Sequence, residues 1–213
     1  MAVTPRLLAL LVLGLAGALA LGHRRLEAQP FVGPPPAWWS ATQRPPTAEE
    51  SLYGRIASAV ARRPVGVRCA SIGSSGVEGQ VWFPDARRPA DFADLEPAVC
   101  NELYQFRTGR RAWAVVCLLQ RGNACGADAY WTVFALTALA HEAVHLRGVR
   151  DESLTQCLAI GEIHVVAQAL GADPEQAEAL QRFAIQHEYA IMPSEYRTRD
   201  CSRIGPGVTR PGL

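Results

Sequence analysis

The hydrophobic and polar positions change period several times along the chain. Thr47 with Glu50 three residues on forms a capping box, and Leu52, Ile56 and Val60 then share one stripe, predicting a helix over 48–62 that Pro64 stops. "VGVRCAS" (65–71) and "VEGQVWF" (77–83) read as two short strands around the Gly/Ser turn at 73–76, with Gly79 weakening the second. A helix over 96–106 carries Pro97 in its first turn, and "RAWAVVCLL" (111–119) fits a buried strand as well as a helix. After the loop "QRGNACG", a long apolar helix spans 127–147, with Gly148 at the position past its end. Asp151 caps a helix over 152–170 closed by Gly171, and Asp173-Pro174 opens another over 174–189 that Pro193 ends. The rest of the chain is irregular. The predicted class is α+β, mainly helical: a helical core with a small N-terminal β element and no internal repeat.

The ends of the chain have a different character. Arg6 precedes an apolar run over 7–22, and "ALA" at 18–20 fits a signal-peptidase site. Residues 1–22 therefore read as a signal peptide or an N-terminal membrane anchor; the run is short against the roughly 20 residues of a spanning helix. Residues 23–46 are a Pro-rich linker, 47–205 the domain and 206–213 a flexible tail. The expected place is secreted, or anchored to the outer face of the cell membrane, with membrane contact only through the N-terminal segment. Export makes the six cysteines read as disulfides. Cys69–Cys100, Cys117–Cys125 and Cys157–Cys201 are the preferred pairs among the roughly 15 possible. No C-x-x-C occurs to favour a cysteine zinc site.

Hydrophobic residues make up 49% and charged ones 19%, enough for a packed core. A net charge of +1 gives no reason to expect a nucleic-acid partner. Every basic residue is Arg, so lysine nucleophiles are excluded. There is no glycine-rich phosphate loop or dinucleotide fingerprint. Nothing in the sequence sets an oligomeric state.

The chemistry concentrates in "HEAVH", 141–145, an H-E-x-x-H pattern. Residues four apart share a helix face, so His141 and His145 can aim at one metal ion. Glu142 is then placed to take a proton from a metal-activated water, whose pKa zinc lowers to about 7. The bland alternative, a core helix with two satisfied histidines, has to bury Glu142 without a role, which is costly. A catalytic zinc has three protein ligands and one open position. Glu152, in the first turn of the next helix, is the preferred third ligand, because Asp151 is occupied as the cap. Asp151, His164 and His187 are the other candidates.

On these residues the chain resembles the zincin metallopeptidases, and a glutamate on the following helix is similar to their gluzincin branch. The wider stretch "ALAHEAVHLRGVRDESLTQCLAI", with "LEPAVC" and "PSEYRTRDC", also resembles a set of small exported bacterial proteins of uncharacterised function. The resemblance implies a zincin-like domain binding Zn2+ through His141, His145 and Glu152, with Glu142 as general base. It implies a peptide or protein substrate, with the cell envelope as one place to meet it. H-E-x-x-H-x-x-G-x-x-D over 141–151 is similar to a metzincin variant, which makes Asp151 the ligand, Met192 a Met-turn residue and Tyr196 an oxyanion helper. Met192 reads more simply as a core filler. The alternative function is a non-catalytic, zinc-stapled extracellular binding domain.

Overall fold

The computed structural model describes residues 44–72, 77–84, 88–121, 125–198 and 201. The expected leader, nearly all of the linker and the C-terminal tail lie outside the described residues. Helix α1 (Ala48–Ala61) begins at the expected capping box, with the Glu50 N–H donating to Thr47 Oγ1 at 3.1 Å and the Thr47 N–H to Glu50 Oε2 at 2.7 Å. The Glu50 carboxylate also accepts the Cys69 N–H at 2.8 Å and both arms of the Arg44 guanidinium at 2.6 Å. Burial pushes this carboxyl up, but the Arg44 and backbone hydrogen bonds outweigh it and hold it at about 2.

Three strands form one sheet in the order β1-β3-β2: β1 (Gly66–Cys69), β2 (Gly79–Val81) and β3 (Phe92–Leu95). β1 runs parallel to β3, while β2 runs antiparallel to it. The two stretches expected to meet around a turn are therefore not neighbours; β3 lies between them. Its sequence, "FADL", hides because Asp is a poor strand residue. Asp94 is tolerated there because Arg68, its cross-strand partner, forks onto it at 2.8 and 3.1 Å.

Helices α2 (Pro97–Arg107), α3 (Ala112–Arg121), α4 (Gly126–Leu146), α5 (Glu152–Ala169) and α6 (Pro174–Phe183) follow. The ambiguous 111–119 stretch is helical: Ala114, Val115 and Leu118 are buried while Trp113 and Val116 are exposed, a helical and not an alternating pattern. Past α6 the chain continues as a π-turn (Ala184–Glu188), in which the Tyr189 N–H donates to Ala184 O, then as α7 (Tyr189–Ile191) and a 3-10 turn (Ser194–Tyr196). The expected helix to 189 is thus present but changes its winding at 184.

α4 is the axle of the fold. It packs on α1, α2, α3, α5 and the sheet, which is why it is apolar around most of its circumference. Leu136, Leu139, Ala140 and Ala143 are fully buried, facing a core that includes Tyr53, Ile160 and Ile163. Its C-terminal end is fixed from outside by Arg63, which donates to Leu146 O at 2.8 Å, to Ala90 O at 2.6 Å and to Asp91 Oδ1 at 2.6 Å. One guanidinium thereby joins the end of α4 to the segment entering β3 and satisfies a terminal helix carbonyl.

Disulfides join Cys69 to Cys100 and Cys117 to Cys125, as expected. The expected third bridge is absent: Cys157 and Cys201 are buried thiols, hydrogen-bonded to each other. The two bridges fit an oxidising compartment. Among the described residues no helix is long and apolar enough to cross a membrane.

Candidate metal centre

His141 and His145 project from the last two turns of α4, both buried. Gly148, at φ +105, occupies the left-handed region that lets the chain leave α4 and enter α5 within a few residues. Asp151 caps α5, accepting the Leu154 N–H at 2.7 Å. With Asp151 so engaged, Glu152 in the first turn of α5 faces the histidines. Its Oε2 lies 3.0 Å from His141 Nε2 and 3.3 Å from His145 Nε2. One ligand atom from each of the three residues lies within 4.8 Å of the other two, a group that could hold a metal ion.

The far sides of both imidazoles are fixed. His141 Nδ1 is 2.8 Å from Gln156 Oε1, and His145 Nδ1 is 2.7 Å from Val149 O. With each Nδ1 against an oxygen acceptor, both Nε2 atoms are the ring nitrogens turned toward Glu152. This is the arrangement in which metal-ligating histidines are held. Two imidazole nitrogens and one carboxylate oxygen form a donor set of the kind that binds a divalent metal ion. Burial pushes the Glu152 carboxyl up, but hydrogen bonds and charge from the two histidines prevail and hold it at about 2. Burial pushes His145 down, and the Glu152 hydrogen bond with the Glu142 and Glu152 charges raises it above its ordinary value.

Glu142 is buried next to this group, and one carboxylate oxygen, Oε2, has no hydrogen-bond partner among the described residues. Burial raises its pKa, with the charges of His141 and His145 opposing. β2 approaches it so closely that a Cβ on Gly79 would lie 2.5 Å from Glu142 Cγ and Oε1. Gly79, which weakens the strand pattern in the sequence, marks a close approach of backbone to the Glu142 side chain.

These groups open onto a cleft of about 260 Å³ whose lining includes Glu78, Gly79, Thr137, His141, Glu142, Gln156, Glu188, Met192 and Tyr196. Tyr196 places its ring 6.1 Å from that of His141, and burial with the Glu152 and Glu142 charges pushes its hydroxyl up to about 12. Met192, expected as a core filler, is half-buried on the cleft wall.

The other candidate ligands lie outside the group. Asp151 is exposed and spent as a cap, which also removes the metzincin-like ligand set. His164 bonds Gly161 O at 2.9 Å, and the His187 ring lies 4.8 Å from that of Phe183. Tyr189 is tied to Thr198, accepting its N–H at 2.6 Å and donating to its carbonyl at 3.1 Å. Sequence reasoning missed Gln156 and Glu188. The first was accessible, since it lies four residues after Glu152 and so on the same face of α5. The second depends on the π-turn, which no periodicity announces.

Comparison of the chain with protein families, with curated proteins and with solved structures gives no match in any of the three.

Proposed function

We propose that the chain is an exported zinc-dependent peptidase of the zincin kind, hydrolysing peptide bonds with Glu142 as general base. The observation that carries this reading is the buried carboxylate of Glu142, with one oxygen unpartnered, beside the His141–His145–Glu152 group at the wall of an open cleft. A metal held only as a structural staple needs no acid there and prefers a closed coordination sphere. Held by His141, His145 and Glu152, zinc would supply a Lewis acid that acidifies water and polarises a carbonyl.

The chain's own groups do the rest. Glu142 accepts a proton from water at Oε2 as the water oxygen attacks the peptide carbonyl carbon. It then delivers that proton to the amine nitrogen as the C–N bond breaks. A carboxyl with a raised pKa suits both halves of this exchange. Tyr196, kept protonated by its burial, donates a hydrogen bond toward the oxygen that gains charge. Gln156 and Val149 hold the two imidazoles in place throughout. The two disulfides support a site of action outside the cytoplasm, secreted or at the outer face of the membrane.

The test is hydrolysis of a mixed peptide library by the zinc-loaded protein. His145→Ala is expected to lose the metal, while Glu142→Gln keeps it and loses hydrolysis. Parental activity in Glu142→Gln would show that Glu142 is not the base, and no hydrolysis by the zinc-loaded parent would leave the metal as a staple.

A further inference from the structure

Glu188 lines the cleft and takes no part in the proposed chemistry. It sits at the end of the π-turn, with its side chain completely buried. Oε2 accepts from Thr137 Oγ1 of α4 at 2.8 Å, and Oε1 has no hydrogen-bond partner among the described residues. Among the described residues no cation pairs with it. A buried carboxyl in that condition is costly, since its desolvation is offset by a single hydroxyl. A core position would be filled at lower cost by an apolar residue or an amide, but this position faces the cleft.

The cleft lining carries three carboxylates, Glu78, Glu142 and Glu188, and no Arg. Its lining also includes the apolar side chains of Phe134, Ala138 and Met192. A pocket with ionisable carboxyl groups and apolar walls matches a side chain with a methylene stem and a charged tip. At about 260 Å³ the cleft is just below the roughly 300–1,000 Å³ of sites for whole small ligands, so it admits a single side chain or chain end.

We infer that Glu188 is a specificity-determining residue that receives a cationic group of the substrate peptide, an Arg or Lys side chain or an N-terminal ammonium. The inference rests on the peptidase reading above and adds the class of peptide. Burial pushes the Glu188 carboxyl up to about 8 against the hydrogen bond from Thr137. An arriving cation reverses that balance and the carboxyl ionises, which replaces an uncompensated buried acid by an ion pair. The π-turn contributes by placing Glu188 on the cleft side while Tyr189, the next residue, is held by Thr198.

The experiment uses the full zinc-loaded chain and three small probes. Acetyl-arginine amide carries a side-chain cation, acetyl-citrulline amide is its neutral isostere, and norleucine amide carries only an N-terminal ammonium. Calorimetry gives their affinities for the parent and for Glu188→Gln, and acetylated and unblocked peptides containing arginine or citrulline give the same comparison in hydrolysis. The parent is expected to favour one cationic class over its neutral counterpart by about tenfold or more, and Glu188→Gln to bring that ratio close to one. Preference for acetyl-arginine amide assigns a basic side chain, and preference for norleucine amide assigns the chain's amino end. Equal affinity of the parent for cationic and neutral probes overturns the inference whether or not the variant folds, as does an undiminished preference in a folded Glu188→Gln. Cation preference without hydrolysis would refute the peptidase reading and keep the pocket. Hydrolysis without cation preference would do the reverse.

Discussion

Replacing Glu188 by Gln should make the protein more stable, and increasingly so as pH rises. The carboxyl titrates near 4.5 when exposed in the unfolded chain and at about 8 in the folded one, because burial disfavours its charged form. A folded-state pKa above the unfolded value means that the stabilising contribution is whole below pH 4.5 and is lost as pH rises through 8. At 1.36 kcal/mol per pH unit, the ceiling on that loss is roughly 5 kcal/mol by pH 9 and roughly 3 kcal/mol at pH 7. Gln keeps an oxygen for the Thr137 hydroxyl and does not ionise, so the variant avoids the loss. The groups facing Glu188 are Thr137 and Tyr130 of α4 and, around the cleft, Glu78, His141, Glu142 and Tyr196; they are common to both proteins, and their own titration largely cancels in the difference. Urea unfolding of parent and variant at pH 5, 7 and 9, with disulfides intact and matched metal content, measures this directly. A difference that grows with pH in favour of Glu188→Gln is the expected result. A constant difference, or one that turns against the variant at pH 9, would refute the view of Glu188 as an uncompensated buried acid.

Gly79→Ala should keep the metal and lose hydrolysis on the order of a hundredfold, since the added Cβ would lie 2.5 Å from Glu142 and must displace the base. Zinc content and peptide turnover on the same preparation test this; full activity would mean that Glu142 need not stay where it is. Gln156→Ala removes the acceptor for His141 Nδ1–H and should weaken zinc affinity about 10- to 100-fold, measured by competition with a chelator of known affinity. The Cys69–Cys100 bridge closes a separation of 31 residues, so replacing both cysteines by Ser should cost roughly 3–4 kcal/mol in a urea titration.

Much of this was legible in the sequence because it is local. The capping box at Thr47 and Glu50, the Asp151 and Asp173 caps and the glycines after α4 and α5 mark helix ends within one or two residues. The spacing of His141 and His145 needs only helix geometry, and Glu152 follows from a cap that occupies Asp151. What stayed hidden depends on long-range pairing or on irregular winding. β3 contains an aspartate that only Arg68 on the neighbouring strand makes acceptable. The approach of Gly79 to Glu142 joins residues far apart in the chain, so the glycine looked like a defect in a strand. The expected Cys157–Cys201 bridge had the right partners but the wrong bond, since even numbers of cysteines predict proximity and not oxidation. The π-turn placed Glu188 in the cleft without leaving any sign in the hydrophobic pattern.

The proposed role of His141, His145 and Glu152 is to hold one metal ion for chemistry. Zinc content per chain, measured on the folded protein with its disulfides formed and again on Glu152→Ala, tests it most directly. Close to one zinc is expected in the parent and a clear loss in the variant. Absence of zinc from the folded parent after metal is added back would contradict it and leave "HEAVH" as two satisfied histidines on a core helix.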